Sequence, residues 1–427
     1  MGAALLVAAA SCSSSHSKVG PVSPTSSSGT SSNRGPGDPN LAAPTTPGAT
    51  MLYAGPGVEV IGMGSTQENL APTLSTSTDG SRWTDITPPE ARHPDGQGRD
   101  AVYSEFETAT FVNAEVGWVV ACLQSANIET IYETADGGAT WTSVPGGGCF
   151  HGIDNVQLVD PHFAIKSNTC AGIPCPLVSS SANSGRTWTA LITLGESPGN
   201  VNNKDTRPLW PVRFVNHLEG FSASLIGDIQ HDDAWPPSFF AATRDGGHSW
   251  TQTNPPTTSA ASAQYDLPTF FDADHGVLPT LSGPNAAPTL GFDVTADGGR
   301  TWHIRKSMAS SIRTVDHWPL QNIYPAVSVV TSDLWWVTNP TSPTDISITT
   351  DGGANWATVK AAGLPLPPIQ LAAISASRAF AWVQVPGGTK TDPAMSYSST
   401  IYTTDNGGRT WMPVALSTPP ASTSPVT

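Results

Sequence analysis

Charge is scarce in this chain, and positive charge scarcest of all. Only 12% of its 427 residues are Asp, Glu, Lys or Arg, and 19 Lys and Arg stand against 34 Asp and Glu, a formal charge of −15. A chain this acidic has no general attraction for nucleic acid or for anionic lipid. No long hydrophobic run is present either. The apolar stretch Ala3–Ala10 is far too short to span a bilayer as a helix. Cysteine is limited to five residues, too few for a disulfide-built scaffold of this length. In place of charge there are 40 Gly and 39 Pro, the composition of short strands joined by many turns.

The N-terminus has the shape of an export signal. Ala9-Ala10-Ser11-Cys12 follows the apolar run and resembles a bacterial lipobox, which predicts lipidation at Cys12. No Lys or Arg precedes the run, and Ala9 stands where Leu is usual. Residues 13–50 are almost entirely Ser, Pro, Gly, Thr, Asn and Ala, too polar to pack. As a flexible tether they would reach on the order of 35 Å. Residues 1–12 therefore read as a signal segment and 13–50 as a disordered leash. This predicts an extracytoplasmic protein, anchored at the cell membrane or secreted, that meets the membrane through its lipid alone. The other cysteines, Cys122, Cys149, Cys170 and Cys175, are even in number, as disulfides in an exported chain would be. The short loop Cys170–Cys175 is one expected pair and Cys122 with Cys149 the other. A zinc site is the rival reading, but no His lies at ligand spacing beside Cys170 and Cys175.

An internal repeat dominates the rest. Thr134-Ala-Asp136-Gly-Gly138-Ala-Thr-Trp141 recurs around Asp245, Asp297 and Asp351, and with Asn at the acidic position around Asn183 and Asn406. A copy one residue shorter surrounds Asp79. The seven Trp that close these boxes are separated by 58, 47, 62, 52, 54 and 55 residues. Asp or Asn can accept backbone N–H bonds within the turn, and the glycines permit positive φ. The boxes thus read as hairpin corners, and their Asp and Asn as structural residues. A second repeat precedes them: Phe111-Val-Asn-Ala-Glu-Val-Gly117-Trp118 matches Phe214 to Phe221 and Phe270 to Val277. Each reads as strand, polar turn, strand. Four strands per unit of about 54 residues is the anatomy of a propeller blade. The prediction is an all-β, seven-bladed propeller of four-stranded antiparallel blades over residues 51–416, with 417–427 as a loose tail. Met51–Ala54 and Trp411–Leu416 are expected to share one closing blade.

These corners resemble the Asp-box, or bacterial neuraminidase, repeat. Together with the Gly-Trp strands they look most like the photosystem II assembly and stability factor family. That resemblance implies a seven-bladed propeller that assists assembly of a membrane protein complex. It suggests a monomeric binding protein, without cofactor or metal, whose partner is an envelope protein or a glycan. Sialidases carry the same boxes, which makes a sialidase-like glycoside hydrolase or glycan-binding propeller the alternative. A sialidase needs three arginines for the substrate carboxylate, a Tyr–Glu pair and an acidic Asp. The arginine motif that precedes the first box in sialidases is absent, since no Arg lies between Arg34 and Arg82. No catalytic residue is nominated. Arg207, Trp210, Arg213, Tyr265, His317, Trp318 and Tyr324 lie just before or on the first strand of a blade, the strand that lines a propeller's axis, and are the candidates for a ligand or partner site.

Overall fold

A computed structural model describes residues 49–55, 58–63, 73–92, 104–123, 128–147, 153–168, 175–194, 212–223, 240–253, 264–282, 289–309, 313–315, 321–323, 325–339, 342, 344–386 and 397–414. These residues form seven antiparallel blades in chain order, each with four successive strands laid side by side, the first strand of blade 5 being split in two. Blade 2 is representative: Ser104–Phe111, Gly117–Leu123, Ile128–Thr134 and Thr142–Gly147. Blade 1 runs from Ala49 to Asp85, and blade 3 from Ile153 to Leu194. Blade 4 spans Val212 to Gln252 and blade 5 Gln264 to Ala309. Blades 6 and 7 span Val327 to Lys360 and Gln370 to Pro413.

First strands of blades 1 and 2, 2 and 3, 6 and 7, and 7 and 1 lie against each other, and apolar clusters join blades 3 to 6 in turn, so the blades close a ring around an inner wall. The core divides into seven apolar clusters, one per interface between blades. Val60, Leu74, Phe106 and Val119 join blades 1 and 2, and Ile61, Phe380, Ile401 and Val414 join blades 7 and 1. A lone blade has two apolar faces, and only stacking in a ring buries both.

Two features differ from the sequence-based expectation. Met51–Ala54 lies in the first strand of blade 1, whereas the strand Met412–Pro413 completes blade 7. Among the described residues no strand is exchanged at the seam, which closes by side-chain packing. In addition, Arg313–Val315 and Gln321–Ile323 form a hairpin of their own between blades 5 and 6.

The Phe-to-Gly spacing has a direct cause. Phe111 pairs across the hairpin with Gly117, Phe214 with Gly220, and Phe270 with Gly276. A Cβ on Gly117 would lie 2.2 Å from the Phe111 ring, and one on Gly220 2.9 Å from Phe214. The ring occupies the space the glycine leaves empty, covering its backbone with apolar surface. Trp118, Trp335 and Trp336 are buried on second strands. Trp335 faces blade 5 and Trp336 faces blade 7.

Candidate functional site

The box residues sit in the hairpins between third and fourth strands, at one end of the ring. In blade 2, Asp136 Oδ1 accepts from the Thr140 amide at 2.8 Å and Oδ2 from the Thr140 hydroxyl at 2.6 Å. Thr134 Oγ1 accepts from the Gly138 amide at 2.8 Å and donates to Asp136. The pattern repeats around Asp245, Asp297 and Asp351. Asn183 and Asn406 accept the same amide bond and donate from Nδ2 to Thr187 and Thr410. Asp79, in the short box, accepts from Ser81 and Arg82. These bonds favour the ionised form. They bring Asp245 and Asp351 down to about 2 and hold Asp79, Asp136 and Asp297 below the usual carboxylate range.

Beside the corners of blades 2 to 7 lies the short polar turn between first and second strands. Asn113 Oδ1 accepts from the Glu115 and Val116 amides, and Asp160, Asn216, Asp272, Thr331 and Ser375 repeat that role in blades 3 to 7. The corner then docks on this turn. The Gly137 amide donates to Glu115 O at 2.9 Å, and equivalent bonds recur through blade 7.

The inner wall is built differently. There, side chains of one first strand reach the backbone of the next. Tyr53 Oη donates to Phe111 O at 2.8 Å, and Thr110 Oγ1 accepts from the Leu158 amide at 3.0 Å. Gln157 makes two bonds of 2.6 Å to the N–H and C=O of Phe214. Arg213 Nη1 donates to Pro268 O at 3.4 Å, and Ser328 Oγ accepts from Ala373 at 2.9 Å. Pro268 lies in a break of blade 5's first strand, between Gln264–Tyr265 and Thr269–Phe270.

Of the residues nominated for a ligand or partner site, Arg213 is exposed on the first strand of blade 4. Its charge acts on Tyr53 of blade 1 and Asp266 of blade 5, although its one hydrogen bond among the described residues is to Pro268 O. Burial pushes Tyr53 up to about 12 against the opposing pull of Arg213. Burial also raises Asp266, again opposed by Arg213. Tyr265 departs from the expectation. It is 1% exposed, its ring packs 5.5 Å from Phe240, and it belongs to the interface of blades 4 and 5. Burial, and secondarily the charge of Asp293, raise its hydroxyl well above the usual range. The strand alternation explains the placement: on the short strand Gln264–Tyr265, Tyr265 turns to the neighbouring blade.

Arg207, Trp210, His317, Trp318 and Tyr324 lie outside the described residues, as do Cys12, Cys149 and Cys170. Cys122 and Cys175 lie on strands Gly117–Leu123 and Cys175–Ser181. Among the described residues no group of three or more His, Cys, Asp and Glu is arranged to hold a metal ion, and Arg213 is the one arginine on a first strand.

No family model matches the chain, and no curated protein matches it. Solved structures do. One is "YCF48 bound to D1 peptide", at 15% identity over 89% of this chain and 96% of that one, with a TM-score of 0.44. A polysaccharide lyase of the ulvan lyase type, PL25, is 14% identical over 73% of this chain and 78% of its own, with a TM-score of 0.38. The Hadza microbial sialidase Hz136 is 15% identical, covering 88% of this chain and 66% of that one, with a TM-score of 0.32. The chain is a seven-bladed β-propeller on its own sheet topology.

Proposed function

We propose that this propeller is a non-enzymatic binding protein of the cell envelope, anchored through Cys12 and a polar tether, that recognises a protein partner. The observation behind this reading is how the chemistry-bearing groups are used. Five corner carboxylates are hydrogen-bonded within their own turns. The inner wall spends Tyr53, Thr110, Gln157 and Ser328 on joining blades. Groups held in this way make a rigid platform and are poor acids, bases or nucleophiles. In-cell cross-linking of the full chain, followed by identification of the adducts, tests the reading. One partner recovered repeatedly from the membrane fraction supports it, and recovery of none contradicts it. Cys12→Ala should move the protein out of the membrane fraction. If it does not, the anchoring part fails.

One observation favours a glycan-active reading. Arg213, Tyr53 and Asp266 bring a cation, a phenol and a carboxylate to the same wall. A glycoside hydrolase working through two carboxylates needs a positioned pair, and a sialidase would need Tyr53 as a nucleophile. Tyr53 is instead pushed up to about 12 and hydrogen-bonded to Phe111 O.

A further inference from the structure

Three full-length corners carry an arginine just after the Gly-Gly or Ser-Gly pair: Arg186 in blade 3, Arg300 in blade 5 and Arg409 in blade 7. All three fold back alike, donating from Nη1 to a carbonyl of their own turn: Asn183 O at 3.2 Å, Asp297 O at 2.6 Å and Asn406 O at 2.9 Å. Their outward sides differ. Arg300 Nη2 meets Glu219 of the preceding blade at 3.5 Å. Arg186 faces the charge of Glu133 in the preceding blade, which burial raises and Arg186 pulls back down.

At blade 7 both acids are missing. Glu133 directly precedes Thr134, and the residue directly before Thr349 in blade 6 is Ile348. Glu219 closes its turn by accepting the Val215 amide, and in blade 6 Leu334 does so from Val330. Arg409 accordingly forms no ion pair among the described residues. In front of it, between the corners of blades 6 and 7, lies a cleft of about 340 Å³. Ile348, Trp356, Val359 and Ala376 make it largely apolar, and Asp351 lines its blade 6 side. Both Asp351 oxygens are occupied by bonds within its own corner. The strand Ala357–Lys360 borders the cleft and, among the described residues, is paired on one side only, leaving its other edge available to an extended chain.

We propose that this cleft binds a carboxylate-bearing stretch of a partner polypeptide, with the carboxylate on Arg409 and a neighbouring aliphatic side chain on the Ile348, Val359 and Trp356 surface. The planar guanidinium suits a carboxylate, which here takes the place Glu219 fills for Arg300. The proposal rests on the partner-binding reading above and names where that binding takes place.

The test is a titration of the ¹⁵N-labelled full chain, following the Trp356 indole N–H signal, assigned with a Trp356→Phe variant. The probes are acetyl-Leu-Glu-Leu-amide, its Gln counterpart, and acetyl-Leu-Leu with a free C-terminal carboxylate. Either carboxylate probe should shift the signal saturably, the Glu peptide marking an internal acidic residue and the free terminus a chain end. The Gln peptide should bind about tenfold more weakly. Arg409→Gln should weaken carboxylate binding by a similar factor, whereas Arg300→Gln leaves it unchanged. The same spectra report whether each variant is folded. Equal binding of Glu and Gln peptides, equal binding by Arg409→Gln, or no shift from any probe overturns the proposal. Full retention of a cross-linked partner by Arg409→Gln overturns the cleft assignment while leaving the binding role intact. Peptide binding by a chain that captures no partner has the reverse meaning.

Discussion

The corners and the inner wall are both held by side chain to backbone hydrogen bonds, yet they use sequence in opposite ways. At the corners an Asp or Asn closes its own turn in every blade, because the bond is local: Asp136 reaches Thr140, four residues on. At the inner wall the bond crosses to another blade. Thr110 reaches Leu158, 48 residues away, and Gln157 reaches Phe214, 57 away. Here the same stitch is made by Tyr53, Thr110, Gln157, Arg213 or Ser328. A local turn constrains the identity of its own residues. A contact between blades constrains only that some side chain of suitable reach be present.

The largest effect expected from breaking this comparison lies beneath a corner. Trp336 is fully buried, and a Cβ on Gly408 of the next blade would lie 3.2 Å from its ring. Trp336→Ala should cost about 3–5 kcal/mol, read as a lower urea midpoint. The inner wall follows. Gln157→Leu removes both bonds to Phe214 and leaves an inward N–H and C=O unpaired, at a cost of about 1–3 kcal/mol. Thr110→Val and Ser328→Ala each remove one stitch and should cost less than Gln157→Leu.

The same contrast decides what could be read from the sequence. Seven boxes at near-constant spacing predict seven four-stranded blades, and the segment from Phe111 to Trp118 reads as strand, turn and strand, which the sheet register bears out. The turn staple is equally visible in Asn113, Asp160, Asn216 and Asp272, each two residues past a first strand, but it is spelled with four residue types once Thr331 and Ser375 are included. The seam departs from the sequence expectation because Met51–Ala54 lacks the Phe-led pattern, although it belongs to the complete first strand Ala49–Gly55. Tyr265 was nominated for the axis because its distance from the box fixes the strand it belongs to and leaves open which way its side chain turns. The cleft at Arg409 had a sequence signal that could be found only by aligning the corners: Ile348 and Leu334 at the positions of Glu133 and Glu219.

A smaller effect sharpens the corner side. Ser184 occupies a position that is glycine in the other full-length boxes and is the one non-glycine residue with positive φ among those described, at 56°. Ser184→Gly should raise stability by about 0.5–1 kcal/mol, less whatever is lost with the 3.0 Å bond from its hydroxyl to Pro161 O. Each corner's response to acid is smaller still, because these groups are solvent-exposed. Asp245 and Asp351 lie at about 2 in the fold, below their ordinary value near 4. Their contribution is therefore present above about pH 4 and lost as pH falls toward 2. Asp351→Asn keeps the amide acceptor and should flatten the urea midpoint over that window. Glu59 has the opposite sign. It is buried on blade 1's second strand and raised to about 7 by burial, with Arg378 of blade 7 pulling it down and Asp79 pushing it up. Stability from its neutral form is present below about pH 4.5 and lost as pH rises through 7, so Glu59→Gln should flatten that interval.

The most direct test of the non-enzymatic reading is turnover of a fluorogenic panel by the purified chain, including 4-methylumbelliferyl sialoside and glycosides, with Arg213→Ala in parallel. The structure places one arginine on the described first strands, and Tyr53 is held by Phe111 O. The expected result is no release of fluorophore above the buffer rate from either protein. Saturable turnover by the parent chain that is lost in Arg213→Ala would contradict the account.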